Sequence, residues 1–572
     1  MNVSKLRRLI PVLVLLALVV VLVAAIAPAS AYNKPPVSVQ ILAVNDFHGN
    51  LAPPAGSSGR VIIVDNPSPT PDVTVDAGGV EYLSTHIANL RATNKRTVVV
   101  SAGDMIGATP LLSALFHDEP SVEAFNRMKL DFNAVGNHEF DEGVKELLRM
   151  QNGGCHPVDG CLDGDGFNGA RFQYLAANVI NDKSGKPLFP AFKVRTFAGV
   201  KVAFIGMTLE GTPNIVTPSG IAGYSFKDEA DTVNALIPRL RRQGIETIVV
   251  LIHEGGFPTG LYNECPGISG PIVDIVNRTD DEVDLFITGH THQAYNCVID
   301  GRPVTSALSF GRIVTDIDMM LNRGSGEVES IAVNNVIVTR DVAKDSWMTN
   351  LIAKYNAVAA PLANRIIGQI TADILRAQNA AGESALGDVI ADAQLDATDD
   401  PGFGDAVVAF MNPGGIRADF TYLSSPAGEG DGNVTYGESF TVQPFGNSLV
   451  TMTLTGAQIE RLLEEQFAPC TFASNRILQV SEGFEYAWSA GGGSCDKVDP
   501  ASIKINGVVV NPAANYRVTV NSFLADGGDS FPVLVQGTDR LGGAVDTDAL
   551  EAYFVANSPV APGPQNRITQ LP

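Results

Sequence analysis

Positive charge is scarce in this chain. Acidic residues outnumber basic ones 62 to 39, leaving a formal charge of −23 and a pI near 4.7 over 572 residues. Such a surface repels nucleic acid polymers and anionic lipid, so any phosphate-bearing partner has to be drawn in locally. Histidine is rarer still, with eight residues, and cysteine rarer again, with six. None of the cysteines has the short CxxC spacing of a zinc knuckle, which excludes a thiolate metal site of that kind. No second membrane-length apolar run follows the first, Leu9 to Ile26, and the segment Arg567 to Pro572 carries no hydrophobic anchor. Disorder is excluded too, because 45% hydrophobic and 18% charged residues are the balance of a folded chain. At ~100–200 residues per domain, and sometimes ~300 for a large enzyme fold, the length predicts two substantial domains.

The apolar run follows Lys5, Arg7 and Arg8 and leads to Ala29-Ser30-Ala31, a small-residue cleavage pattern. Residues 1–31 therefore read as a secretory signal, with a mature chain starting at Tyr32 and an extracellular, periplasmic or cell-surface destination. An uncleaved anchor is the other reading, since the run is nearly long enough to span. In an exported chain the cysteines form three close couples, Cys155 with Cys161, Cys265 with Cys297, and Cys470 with Cys495. Three local disulfides are the economical pairing among the fifteen connectivities that six cysteines allow.

From Val37 onward an apolar, β-branched run repeatedly enters a polar, glycine-containing loop. Val37 to Val44 leads to Asn45-Asp46-Phe47-His48-Gly49, and Thr97 to Ser101 leads to Ala102-Gly103-Asp104. Leu130 to Val135 leads to Gly136-Asn137-His138-Glu139-Phe140-Asp141, with Gly136 expected to allow a sharp turn. Thr247 to Ile252 leads to His253-Glu254-Gly255-Gly256, and Val283 to Ile287 to Thr288-Gly289-His290-Thr291-His292. Helix-compatible stretches lie between them, as in Gly79 to Arg91, Ser121 to Met128 and Ala230 to Arg242. The pattern predicts a layered α/β fold with a site at the carboxyl edge of its strands.

Five of the eight histidines occupy those loops. Asp46 with His48, and His290 with His292, are i,i+2 pairs that extended chain places on one side. One such loop could be a polar turn; five in phase predict a metal centre. Asp, His and Asn suit zinc, manganese or a similar divalent ion, and seven candidates suit two ions better than one. Two ions ~3.5–4 Å apart can bind a phosphoryl oxygen and acidify a bridging water. Their charge, less two aspartates and one hydroxide, leaves about +1 to attract phosphate. Asp141, three residues after His138, is placed to orient its ring. His156, inside the Cys155–Cys161 loop, reads as solvated, and His86 and His117 as polar surface residues.

Asp46-Phe47-His48, Gly103-Asp104, Gly136-Asn137-His138-Glu139, His253 and Gly289-His290-Thr291-His292 resemble the signature of the calcineurin-like binuclear metallophosphoesterases, and within them the secreted 5′-nucleotidase family. The resemblance implies a metallophosphoesterase β-sandwich flanked by helices, plus a second α/β nucleotide-binding domain. It implies that Asp46, His48, Asp104 and His292 hold one metal, and that Asp104, Asn137, His253 and His290 hold the other, with Asp104 bridging. His138 and Asp141 match the family's catalytic dyad, and Asn178 a supporting residue beside the site.

The expected division is residues 37–340 for the metal domain, 341–364 for a helical hinge broken near Pro361, and 365–572 for the second domain. Gly382 to Asp388 reads as a helix start. Asn412 and Arg417, Phe445, Phe523 and Asp529 resemble the family's nucleotide site, with the two phenylalanines flanking a base and Asp529 on ribose. Where several members of that family carry further arginines, this chain has Ala380, Ala381 and Gly382, with Arg376 the nearest cation. The function implied is an exported hydrolase of nucleoside 5′-monophosphates. Broader action on nucleotide sugars, 2′,3′-cyclic nucleotides or nucleoside di- and triphosphates is the alternative, and a non-catalytic surface binding protein is the reading from another class.

Overall fold

The computed structural model describes residues 35–572 apart from 55, 67–71, 217, 426, 469 and 471–474, so the expected leader lies outside the described residues. Two six-stranded sheets organise the first part of the chain. One runs in the spatial order Val328–Ile337, Ile313–Leu321, Val37–Val44, Thr97–Ser101, Phe132–Ala134, Gln173–Leu175. The other runs Ala294–Ile299, Arg302–Ala307, Leu285–Thr288, Thr247–His253, Val200–Thr208, Phe192–Phe197. Their inner faces meet through Val39, Ile41, Val98, Val100, Phe204, Val249, Leu251 and Ile287, all essentially inaccessible to solvent. Helices Val80–Arg91, Glu119–Met128 and Gly143–Asn152 cover the outer face of the first sheet, and Glu229–Arg242 and Pro271–Arg278 that of the second. Burial on both faces explains why these strands read as continuous apolar runs rather than alternating ones.

Register aligns the strand ends that carry the unusual residues. Val44 pairs in parallel with Ser101, and Ser101 with Asn133. Ile252 pairs in parallel with Thr288. Their loops therefore emerge together at one edge of the sandwich.

Helix Ser346–Ala363 is capped by Asp345, whose carboxylate accepts from the Trp347 N–H and, at 2.6 Å, from Ser84 Oγ. Met348, Leu351, Tyr355 and Ala359 recur along one stripe and pack into the core of the first sheet. The break expected at Pro361 falls later: proline removes one backbone donor within the final turn, and the helix ends two residues on, at Ala363.

Strands after Ile366 form sheets of their own. The largest has the order Gln479–Val480, Val408–Met411, Asn515–Asn521, Ser448–Thr455, Thr538–Val545. Val408–Met411 and Asn515–Asn521 run parallel, so Asn412 and Asn521 meet at their carboxyl ends, where Asn521 Nδ2 donates to Asn412 Oδ1 at 2.9 Å. Helix Ala385–Asp396 starts where the sequence signal placed it, with Ser384 Oγ accepting from the Gly387 N–H. All three local disulfides form, with Cα separations of 4.8 Å for Cys155–Cys161, 5.1 Å for Cys265–Cys297 and 5.0 Å for Cys470–Cys495. Among the described residues no helix is long and apolar enough to cross a membrane.

Candidate functional site

The five loops converge. Asp46, His48 and His292 bring ligand atoms together on one side, and Asp104, His253 and His290 on the other, with Asp104 also beside His48 and His138. Asp46, His48, Asp104, His290 and His292 all have left-handed backbone, with φ between 46° and 70°. Side chains held this way outside glycine carry strain of order 1–3 kcal/mol each, which the surrounding fold has to impose. Two glycines make room for the arrangement. A Cβ on Gly136 would lie 2.1 Å from Asp104 Oδ1, and one on Gly103 would lie 2.7 Å from His253 Nδ1. Close approach to Asp104, not a left-handed turn, is therefore what demands glycine at 136.

Backbone carbonyls set the histidine tautomers. His48 Nδ1 lies 2.8 Å from the Gly107 carbonyl and His253 Nδ1 2.8 Å from that of Ala102, so each Nδ1–H donates outward and turns Nε2 toward the cluster. His48 Nε2 lies 3.1 Å from His292 Nε2 and 3.7 Å from Asp104 Oδ2. His253 Nε2 is buried without a hydrogen-bond partner, although Asp104 Oδ2 stands 2.8 Å away out of line. His290 Nδ1 contacts Asn137 Oδ1 at 3.0 Å, and the His290 N–H donates to the Asp46 carboxylate. Imidazole nitrogens and carboxylate oxygens thus converge in a closed space, a donor set that fits divalent cations. Burial and the neighbouring imidazoles push His48 down to about 3, and burial pushes His290 down to about 4, so both rings are neutral at neutral pH. Burial opposes charge on both partners, but His253 and His138 hold Asp104 far below the usual carboxylate range, and Asp104 in turn pushes His253 up to about 9.

His138 Nδ1 lies 2.8 Å from Asp141 Oδ2, which also accepts from the Ala108 N–H at 3.2 Å. Burial opposes charge on the ring, but Asp141 and Asp104 prevail and push His138 up to about 10. The backbone N–H of His138 donates to Asp104 Oδ1 at 2.9 Å, tying this pair to the centre of the cluster.

Glu139 was legible as part of a motif but not as a working residue. Its buried carboxylate accepts from the N–H groups of Asp104 and Met105, each at 2.9 Å, and from that of Gly136. It clamps two of the five loops together. Asn45 acts similarly, donating to Asp46 and to the Leu308 carbonyl while accepting from the Ala307 N–H. Asn178 stands one step back, bonded to the backbone of Thr208 and Lys227; Thr208 is the strand partner of His253. His117 and His156, expected as separate solvated residues, instead stack with ring centroids 3.8 Å apart.

In the second half, Asn412 Nδ2 donates to Asp529 Oδ2 at 2.8 Å, and the Arg417 guanidinium lies 5.7 Å from the centre of the Phe445 ring. Phe523 is 47% exposed, too open for a core residue of its size. Arg476, which no local signal singles out, pairs with Asp529 Oδ1 at 2.6 Å. The Phe445 turn reaches the first sandwich, since Gly446 packs against Ala108 beside the His138–Asp141 pair. A cleft of about 590 Å³ separates Leu209, Pro213 and His290 from Ser448, Asp526 and Arg540. Residues 380–382 supply no cation; the Ala381 carbonyl accepts from Trp488 Nε1, and Gly382 packs on Ile477.

Residues 39–294 match the calcineurin-like phosphoesterase model, and residues 366–536 the 5′-nucleotidase C-terminal domain. Endonuclease YhcR of Bacillus subtilis is 30% identical over 93% of this chain, and cell wall protein Lmo0130 of Listeria monocytogenes 31% identical over 90%. The chain spans only 41% and 66% of those relatives' lengths. The crystal structure of a 5′-nucleotidase precursor from Thermus thermophilus aligns with a TM-score of 0.59 at 26% identity, covering 93% of this chain and 99% of that one. The chain belongs to the family that joins a calcineurin-like phosphoesterase domain to a 5′-nucleotidase C-terminal domain.

Proposed function

We propose that this protein is an exported hydrolase that converts nucleoside 5′-monophosphates and water to nucleosides and inorganic phosphate. The observation that carries the reading is the convergence of Nε2 of His48 and His253 on the Asp46 and Asp104 carboxylates. Asp46, His48, Asp104 and His292 would hold one divalent ion, and Asp104, Asn137, His253 and His290 a second, of the zinc or manganese class. When bound, such ions draw in the phosphoryl oxygens and acidify water for in-line attack.

The protein's own groups do the rest. His138 is cationic at neutral pH, held so chiefly by Asp141 against its burial, and it can neutralise phosphoryl charge or protonate the leaving ribose oxygen. Asp141 keeps the ring's other nitrogen directed outward. Phe445 and Phe523 offer aromatic faces for the base, while Asp529, braced by Asn412 and Arg476, accepts from ribose hydroxyls. Arg417, beside Phe445, assists there.

The small residues at 380–382 favour a second reading of broader scope, including nucleotide sugars, 2′,3′-cyclic nucleotides and nucleoside di- or triphosphates. A panel decides between them. Phosphate release from AMP, GMP, CMP and UMP, measured beside UDP-glucose, 2′,3′-cyclic AMP, ATP and an oligonucleotide, should be fastest for the monophosphates. Comparable rates on the cyclic or sugar nucleotides would replace the first reading with the second.

A further inference from the structure

Away from the five loops, a second group of metal-type side chains comes together. The disulfide between Cys155 and Cys161 closes a short loop, and His156 and Gly160 exchange backbone hydrogen bonds across it at 3.1 and 3.0 Å. That bridge holds His156 and Asp159 on one side of the loop, where the Asp159 N–H donates to His156 Nδ1 at 3.2 Å. His117, immediately ahead of helix Glu119–Met128, stacks on His156 with the rings 19° from parallel. Asp159 Oδ2 lies 2.9 Å from His117 Nε2 and 3.1 Å from His156 Nδ1.

The proton positions decide what this cluster is suited to. Glu142 Oε2 lies 2.8 Å from His117 Nδ1 and Asp159 Oδ2 2.9 Å from its Nε2; burial opposes charge on the ring, but the carboxylates push His117 up to about 9, so an ion at Nε2 would take the place of the proton directed at Asp159. His156 Nδ1 has one lone pair, which the Asp159 N–H occupies through a long hydrogen bond of 3.2 Å, so an ion would take that lone pair over. Two imidazole nitrogens and a carboxylate oxygen lie within 4.8 Å of one another. The imidazole side chains are mostly covered, 18% exposed for His117 and 15% for His156, while Asp159 is 45% exposed, so water can complete a coordination shell.

We propose that His117, His156 and Asp159 form a further transition-metal site, separate from the five-loop centre, with Glu142 orienting His117 from behind. Two nitrogens and one carboxylate oxygen make a zinc-class donor set and discriminate against magnesium and calcium, which favour oxygen ligands. The site joins the disulfide loop to the residue that follows Asp141, so the bound ion would brace the segment carrying the proposed dyad. It does not rest on the proposed substrate or on the ion content of the five-loop centre.

The test uses the full chain, equilibrated by dialysis at fixed micromolar free zinc, with zinc per chain counted by mass spectrometry. His156→Gln and Asp159→Asn should each bind one zinc fewer than the wild type, whatever the number at the five-loop centre. Glu142→Gln should weaken that site about 10–100-fold, the worth of an orienting carboxylate. A measurement on the unaltered protein guards against misfolded variants: zinc should slow diethyl pyrocarbonate modification of His117 and His156 about tenfold, read by peptide mapping. Equal zinc content in wild type and both loop variants, or unprotected histidines, would show that a proton on His117 bridges the carboxylates and would overturn the proposal.

Discussion

Glu139 offers a sharp test of how the five loops are held. Its two oxygens satisfy the N–H groups of Asp104, Met105 and Gly136, and Oε1 also receives Asn133 Nδ2 at 3.3 Å. Replacement by alanine would leave three buried N–H groups unpaired at about 1–3 kcal/mol each, or roughly 3–9 kcal/mol together. That is comparable to the whole stability of a domain, about 5–15 kcal/mol. Glutamine is milder for a traceable reason. It keeps one oxygen for Asp104 and Gly136, and its amide can donate to Asn133 Oδ1, which has no partner in the native protein, once that side chain turns over. Only the Met105 N–H then remains unsatisfied, so Glu139→Gln should lose about 1–3 kcal/mol. Urea unfolding followed by near-ultraviolet circular dichroism, with metal content measured in parallel, would separate the two variants. An alanine variant as stable and as metal-loaded as the wild type would refute the clamp.

Other expectations are simpler to state. His138→Ala should retain metal but lose turnover by ~10²–10⁴, the usual worth of one positioned acid–base group; metal loss instead would move His138 among the ligands. Because His138 is pushed up to about 10, its charge persists through neutral pH and is lost as pH rises through that value. Activity should fall over the same range, and Asp141→Asn should shift the falling limb to lower pH; an unmoved limb would remove His138 from the titration. Phe445→Ala and Phe523→Ala should weaken hydrolysis of AMP by ~1–3 kcal/mol per lost stack while sparing a small aryl phosphate. Equal damage to both substrates would mark these rings as packing residues.

Sequence made the strand ends legible because buried parallel strands read as unbroken β-branched runs, and five of them lead within a few residues to His, Asp or Asn. Short spacing exposed the Cys155–Cys161 disulfide and the helix start in Gly382 to Asp388, and the even count of cysteines falling in successive couples exposed the other two bridges. Glu139 was harder. Its donors at Asp104 and Met105 lie more than thirty positions away, and nothing within its own hexapeptide separates a clamp from a ligand. Arg476 is 53 positions from Asp529, and the stack of His117 on His156 joins two loops that read separately as solvent-facing. Gly136 was placed correctly for another reason than the one that holds, since crowding by Asp104 becomes visible only once the two loops are brought together.

The central claim is that the five loops form a divalent-metal centre bridged by Asp104 that hydrolyses nucleotides. Phosphate release from AMP, followed while chelator-treated protein is titrated with manganese, tests it most directly. The wild type should be inactive when stripped and should recover with metal, whereas Asp104→Ala, folded by circular dichroism, should neither bind the metal nor recover. Full activity in the stripped protein, or normal recovery by Asp104→Ala, would contradict the account.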